Sequence, residues 1–110
     1  MLFWNETGEE QYQLDPEKMK EGMAAWQSWI GNIAMKGRLV STKPIRWEGA
    51  MVSNHGVEER PAIRERQMVT GYLICRAQDM AEVQQWAASC PILTSPAGFT
   101  EIREVSPFEM

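Results

Sequence analysis

The apolar residues of this chain recur with two periods, one typical of helices and one typical of strands. A first helix is predicted to begin at Pro16, with Asp15 as its cap, and to end before Gly37. Its apolar positions recur every three or four residues and form one stripe, made of Met19, Met23, Trp26, Ile30 and Ile33. This helix is therefore amphipathic, and we expect the stripe to pack on the rest of the domain.

The remaining elements are a second helix and a set of short strands. The second helix is predicted to start at Asp79, which forms a capping box with Glu82, and to end at Pro91. Strands are predicted over residues 1–4, 39–47, 68–75 and 99–105, and a hairpin joins 51–53 to 56–58. The order β-α-β-(hairpin)-β-α-β predicts a single α+β domain over residues 1–110 with a ferredoxin-like arrangement. In that arrangement an antiparallel sheet carries both helices on one face.

The strand before the second helix is apolar on both of its faces. One face presents Val69, Gly71, Leu73 and Cys75, and the other presents Thr70, Tyr72 and Ile74. A strand in a sheet with one solvent-exposed face alternates polar and apolar residues. A strand that is apolar on both faces therefore needs a packing partner on each side of the sheet. We expect the helices to cover one face and a second copy of the chain to cover the other, which predicts a homodimer. The alternative is that one tyrosine and one isoleucine are simply exposed.

Charge and composition exclude several classes of partner. The net charge is −4, and three glutamates balance three arginines between Glu58 and Arg66, so no basic surface for nucleic-acid phosphates is predicted. No apolar run reaches the length of a membrane span and no leader pattern is visible, so a cytoplasmic location away from membranes is expected. Cys75 and Cys90, the latter in the last turn of the second helix, are expected to be buried thiols. The single histidine, His55, lacks clustered ligands, so neither a metal site nor a cofactor is predicted.

The charged segment from Glu59 to Gln67 runs into Thr70-Gly71-Tyr72 with a distinctive spacing. Together with the stretches LFWNE, LDPEKM, GRLVS and WAASCP, it resembles the YCII-related family in its DGPF subgroup over nearly the whole chain. Glu59-Arg60-Pro61-Ala62 stands where the subgroup has Asp-Gly-Pro-Phe, so only the proline is kept. The resemblance implies a dimeric α+β barrel with a cleft between helix and sheet. Trp26 stands where other members carry a histidine proposed for acid/base chemistry.

Five charged or titratable residues in or near this motif are candidate site residues: Glu59, Arg60, Arg64, Glu65 and His55. Arg60 and Arg64 are candidates for binding a carboxylate, because a guanidinium can hold one at two points. Glu59 is a candidate acid or base if burial raises its pKa. His55, at the hairpin turn, is a weaker candidate base, because a turn tip is usually solvated. The alternative for the charged segment is a loop of surface ion pairs with no function.

Three aromatic residues are candidates for contact with a planar ligand: Trp26, Trp29 and Tyr72. Large aromatic side chains more often build the core than line a site. Trp26 belongs to the apolar stripe and is expected in the core, whereas Trp29 lies off the stripe and fits either role.

Three functional hypotheses follow. The first is a homodimer that binds a small anionic or planar metabolite in a helix–sheet cleft. The second, implied by the resemblance, is an isomerase or lyase acting on a cyclic substrate such as a lactone, with Glu59 as acid or base. The third, also implied by the resemblance, is a protein-interaction accessory to sigma-factor regulation, which would need a large exposed apolar patch.

Overall fold

The computed structural model describes residues 1–6 and 16–107, except for the side chains of residues 16, 18 and 19. Six strands and two α-helices form this part of the chain. The strands are β1 Leu2–Glu6, β2 Leu39–Pro44, β3 Met51–Ser53, β4 Gly56–Glu58, β5 Gln67–Cys75 and β6 Phe99–Glu101. The helices are α1 Pro16–Met35 and α2 Met80–Ala88, and a short 3₁₀ helix covers Pro91–Thr94. Neither helix, as far as its residues are described, is long and apolar enough to cross a membrane.

The strands form two separate sheets. The larger sheet has the order β2-β5-β1-β6 with every neighbouring pair antiparallel, and β3 and β4 form a two-stranded ribbon of their own. The predicted α+β class is therefore confirmed. The last strand is shorter than the predicted 99–105, because β6 pairs only with Leu2 to Trp4 and finds no backbone partner beyond Glu101 among the described residues.

Helix α1 starts at Pro16 and ends as its sequence predicts, although its buried face differs from the predicted stripe. After its last turn the Gly37 N–H donates to the Ala34 carbonyl at 2.9 Å and the Arg38 N–H donates to the Ile33 carbonyl at 3.3 Å. Gly37 has φ 70°, the left-handed conformation that this type of helix end needs. Met23 is 59% exposed, so its place in the stripe was predicted wrongly. The capping role of Asp15 and the side chain of Met19 lie outside the described residues.

Helix α2 begins at the predicted cap and ends earlier than predicted. The Asp79 carboxylate accepts a hydrogen bond from the Glu82 N–H at 2.9 Å, and Glu82 Oε1 accepts one from the Gln78 N–H at 3.3 Å. The helix ends at Ala88, so Cys90 lies beyond it and not in its last turn. Pro91 lacks an N–H and begins the 3₁₀ helix instead. Cys90 is nevertheless buried, as expected of a small apolar residue.

The core lies between the helices and one face of the larger sheet. Its buried members are Phe3, Trp29, Ile33, Leu73, Cys90 and Ile92. The Trp29 indole N–H donates to the Trp86 carbonyl at 2.9 Å, which joins α1 to α2 on this face. Gly98 approaches the 3₁₀ helix so closely that a Cβ atom there would lie 2.0 Å from the Ile92 carbonyl oxygen. Only glycine therefore fits at this crossing without movement of the backbone.

The opposite face of the larger sheet, here called the outer face, carries apolar residues without cover from this chain's helices. Leu73 is 0% exposed and faces the core, whereas Ile74, the next residue, is 42% exposed on the outer face. Leu2 and Trp4 alternate with the core residue Phe3, so they also lie on the outer face. Both faces of the sheet are therefore partly apolar, as the pattern of the strands predicts.

Candidate ligand-binding site

A shallow pocket of about 490 Å³ opens on the outer face, where the start of β5 and the strands β1 and β6 meet. Its lining consists of Trp4, Arg64, Glu65, Gln67, Phe99, Thr100 and Glu101. Trp4 and Phe99 are Cα partners across β1 and β6, which places both rings on the same side of the sheet. The pocket is therefore on the side of the sheet opposite α1, and not in a helix–sheet cleft.

The floor of the pocket is aromatic. The rings of Trp4 and Phe99 stack with their centroids 5.7 Å apart and their planes at 6°. Phe99 is 40% exposed, so the stack offers aromatic surface to solvent. The Trp4 indole N–H donates to Glu101 Oε1 at 3.2 Å, which fixes the orientation of the indole. A planar molecule is the shape that packs best on such a surface.

Arg64 reaches the pocket from a tight turn. Its backbone N–H donates to the Gln67 carbonyl at 2.8 Å, and the Gln67 N–H donates back to the Arg64 carbonyl at 2.9 Å. The two residues between them, Glu65 and Arg66, have φ 52° and 67°. Positive φ at both central positions is the signature of a hairpin turn that usually contains asparagine and glycine. The sequence instead places two ordinary residues in a costly conformation, and the turn carries Arg64 and Glu65 to the pocket.

Among the residues that the structure describes, the Arg64 guanidinium has no ion-pair partner. The side chain is exposed, and no carboxylate among the described residues lies within ion-pair distance of it. Arg60, by contrast, pairs with Glu58 at 2.8 Å between two largely exposed side chains and does not line the pocket. Its environment matches the surface ion pair that was the alternative prediction for the loop. An unpaired guanidinium can bind an incoming carboxylate without first giving up another partner.

Polar contacts hold the walls of the pocket together. The Gln67 side-chain amide donates to the Ala97 carbonyl and so ties the start of β5 to the loop before β6. Glu101 accepts the Trp4 N–H and lies 3.7 Å from Arg103, whose side chain is mostly exposed. The charged residues of the lining are one arginine, Arg64, and two glutamates, Glu65 and Glu101.

The other predicted site residues are not part of this pocket. Glu59 is exposed and outside the lining, and His55 is exposed at the turn of the β3–β4 ribbon, where its backbone N–H donates to Ser53 Oγ at 3.2 Å. Tyr72 lies on the outer face opposite Leu2, and its hydroxyl is 3.3 Å from Ser41 Oγ. The structure therefore does not bring these three residues together with Arg64.

The two candidate tryptophans lie on the core side of the sheet. Trp29 is 7% exposed, and its indole N–H is already used by the Trp86 carbonyl. Trp26 is half-buried and packs edge-on against Phe3 at 5.0 Å and against Trp29 at 5.7 Å. Trp26 packs against the core, as expected of a stripe residue. Trp29, which fitted either role, is a buried core residue, because it lies where α1 meets both the sheet and α2. Little of the Trp29 surface is left for a ligand in this chain.

Burial disfavours the thiolate form of both cysteines. Burial raises the pKa of the Cys90 thiol above its ordinary value, and hydrogen bonding to Ile92 and Thr100 offsets part of that rise. Burial likewise raises the pKa of the half-buried Cys75. A raised thiol pKa lowers the fraction of nucleophilic thiolate at neutral pH. Neither residue lines the pocket.

Five lining residues were not singled out from the sequence: Trp4, Gln67, Phe99, Thr100 and Glu101. Trp4 and Glu101 are 97 positions apart, and only the pairing of β1 with β6 brings them together. The one local signal is the apolar character of Trp4 and Phe99 at strand positions on the face opposite the core residue Phe3. That signal indicates an uncovered face and does not indicate a pocket.

Comparison with known proteins identifies the family of this chain. No significant match was found among curated proteins. The family model of the YCII-related domain matches residues 1–109, which is almost the whole chain. The chain therefore belongs to the family of YCII-related domains.

Proposed function

We propose that this YCII-related protein binds a small planar metabolite with an anionic group, in the pocket on the outer face of its sheet. The observation that carries the proposal is the Arg64 guanidinium, which has no ion-pair partner in residues 1–6 and 16–107, in one pocket with the stacked Trp4 and Phe99 rings. A carboxylate binds the guanidinium through two parallel hydrogen bonds, and a flat group covers the rings. One polar contact sets the orientation and the apolar surface supplies contact area, as in most small-molecule sites.

A homodimer completes this proposal. The sheet order β2-β5-β1-β6, with both helices on one face, supports a ferredoxin-like arrangement. Ile74 and Phe99 are exposed on the outer face, where a second copy would cover them in a dimeric α+β barrel. The pocket opens on the same face, so the second copy would also shield a bound molecule from water.

The proposal is tested by titrating benzoate into the ¹⁵N-labelled protein and following the tryptophan indole N–H resonances. The Trp4 resonance is assigned with a Trp4→Phe variant. We expect a saturable shift of this resonance, and about tenfold weaker binding in Arg64→Gln, because a bidentate contact is lost. Arg46→Gln is the matched control, since Arg46 pairs with Glu48 outside the pocket. An unmoved Trp4 resonance, or equal binding in Arg64→Gln, would overturn the proposal.

An isomerase or lyase activity stays a prediction that rests on the family resemblance. Glu59 lies outside the pocket lining, whereas the Glu101 carboxylate lies inside it. Any acid/base step by a carboxylate in this pocket would therefore depend on Glu65 or Glu101, since a catalytic base must reach the proton that it removes. Turnover that is lost in Glu59→Gln and kept in both Glu65→Gln and Glu101→Gln would contradict this placement.

A further inference from the structure

One edge of the larger sheet is open. β6 is the last strand in the order β2-β5-β1-β6, and no described strand pairs with its other side. After Glu101, residues 102–105 form no hydrogen bond to another backbone group in the described part of the chain. Residues 99–105 contain no proline, and Thr100, Ile102 and Val105 are β-branched, which favours a strand along the whole segment. An open edge of this kind is a template for pairing with another strand.

We propose that β6 and the residues after it pair with the same segment of a second copy, and that Arg103 of the second copy completes the pocket. Such pairing joins the two sheets at one seam, which a barrel made from two sheets requires. This inference rests on the proposed function, since it names the edge at which the proposed homodimer forms and adds a residue to its pocket.

The charges near Glu101 favour one register of the pair. A symmetric antiparallel pair is centred on one residue, because directly opposite side chains share a face of the sheet and both copies present the same face. With Ile102 at the centre, Glu101 of each copy lies opposite Arg103 of the other, which gives two attractive cross-strand pairs. A centre at Glu101, Arg103 or Glu104 instead places two like charges opposite each other, which is destabilising. Charge complementarity therefore supports a second copy as the partner.

This register changes the charge balance of the pocket. Glu65 and Glu101 line the pocket with Arg64, and both carboxylates repel an anionic ligand. Arg103 of the same chain lies 3.7 Å from Glu101 with its side chain 74% exposed, so it compensates this charge only in part. Arg103 of the second copy approaches the same carboxylate from across the seam. The site is therefore complete only in the dimer.

Two charge reversals test the pairing: Arg103→Glu and Glu101→Arg. Each variant alone places like charges opposite each other twice, so we expect about tenfold weaker self-association than in the wild type by sedimentation velocity. In an equimolar mixture both cross-strand pairs are attractive again, so native mass spectrometry should show a heterodimer in preference to either homodimer. Glu104→Arg is the matched control and keeps the wild-type association, because residue 104 lies opposite Thr100 of the second copy.

The outcomes separate the seam from the homodimer. A wild-type dimer with unchanged association in both charge reversals would overturn the seam and leave the homodimer standing, since the copies would then meet elsewhere. Two weakened variants that form no heterodimer would also overturn the seam. A monomeric wild type would overturn the seam and the homodimer together.

The contribution of Arg103 to the pocket is tested by linkage. If the second copy completes the site, benzoate binds the dimer more tightly than the monomer and must tighten self-association in return. We expect a dimer about threefold tighter in sodium benzoate than in sodium chloride of equal ionic strength. A Trp4 indole resonance that shifts without any tightening of the dimer would overturn this contribution alone. An unmoved Trp4 resonance would overturn the proposed function.

Discussion

The turn before β5 makes a prediction about stability that follows from two backbone angles. Glu65 and Arg66 have φ 52° and 67°, and both occupy the left-handed region, which ordinary side chains disfavour. Asparagine tolerates this region and glycine has no Cβ to oppose it. We therefore expect the double substitution Glu65→Asn and Arg66→Gly to stabilise the protein.

The expected gain is about 1 kcal/mol. Release of the left-handed strain at Arg66 contributes about 1 kcal/mol, and the extra freedom of glycine in the unfolded chain removes about half of that. Asparagine at position 65 adds about 0.5 kcal/mol by the same reasoning. For a chain of 110 residues, an unfolding entropy of about 2.1 cal/mol/K per residue converts this gain into a rise in Tm of about 4 °C.

The assay is thermal and urea unfolding of the wild type and the double variant at one fixed protein concentration. The matched control is Ala62→Gly, which adds a glycine to the same loop at a position without positive φ and should cost about 0.5 kcal/mol. A double variant that is no more stable than the wild type would refute the claim that this turn stores backbone strain.

Three further predictions concern the sheet, the 3₁₀ helix and a buried thiol. Leu73→Ala should lower the free energy of unfolding in urea by about 3 kcal/mol, since the Leu73 side chain is fully buried. Ile74→Ala should lower it by under about 1 kcal/mol in dilute protein and should weaken self-association measured by sedimentation. Equal unfolding costs of the two substitutions would contradict the assignment of the two faces. Gly98→Ala should cost about 2 kcal/mol or more, because its Cβ would lie 2.0 Å from the Ile92 oxygen, and wild-type stability would refute that contact. Burial raises the pKa of Cys90, so the folded protein keeps this proton to higher pH than the unfolded chain does. Stability should therefore fall as pH rises above the ordinary thiol value, and it should fall less in Cys90→Ala; parallel pH profiles would exclude this cause.

Features governed by neighbouring residues were predictable from the sequence. The end of α1 at Gly37 and the start of α2 at Asp79 each depend on hydrogen bonds that span only a few positions. Capping residues and left-handed glycines act locally, so their sequence signals survive in any fold. The hairpin at Asn54-His55 was predictable for the same reason.

Features decided by packing were predicted less well. Helical periodicity included Met23 in the buried stripe and set Trp29 apart from it, yet Met23 is exposed and Trp29 is buried. The Trp29 indole N–H finds its acceptor at Trp86, 57 positions away, which no local pattern indicates. The arc of a helix that becomes buried depends on where the sheet and the other helix lie against it.

The candidate site likewise combines a residue that the sequence indicated with residues that only the packing of strands brings together. Arg64 was predicted because it belongs to a charged segment with a family-like spacing, and it does line a pocket. Its aromatic and acidic neighbours Trp4, Phe99 and Glu101 come from the two ends of the described sequence and meet through strand register. Register depends on the pairing of whole strands, so a single sequence read along its length does not give it.

Arg64 and the aromatic floor are proposed to hold a small molecule within a homodimer. Native mass spectrometry of freshly purified wild type and Arg64→Gln tests this binding and the assembly together, because one spectrum gives both the oligomeric state and any retained mass. We expect a dimer that carries a small bound molecule, and a dimer of Arg64→Gln that has lost it. A bare monomer of the wild type, or a bound molecule retained equally by Arg64→Gln, would show that the proposed binding is wrong.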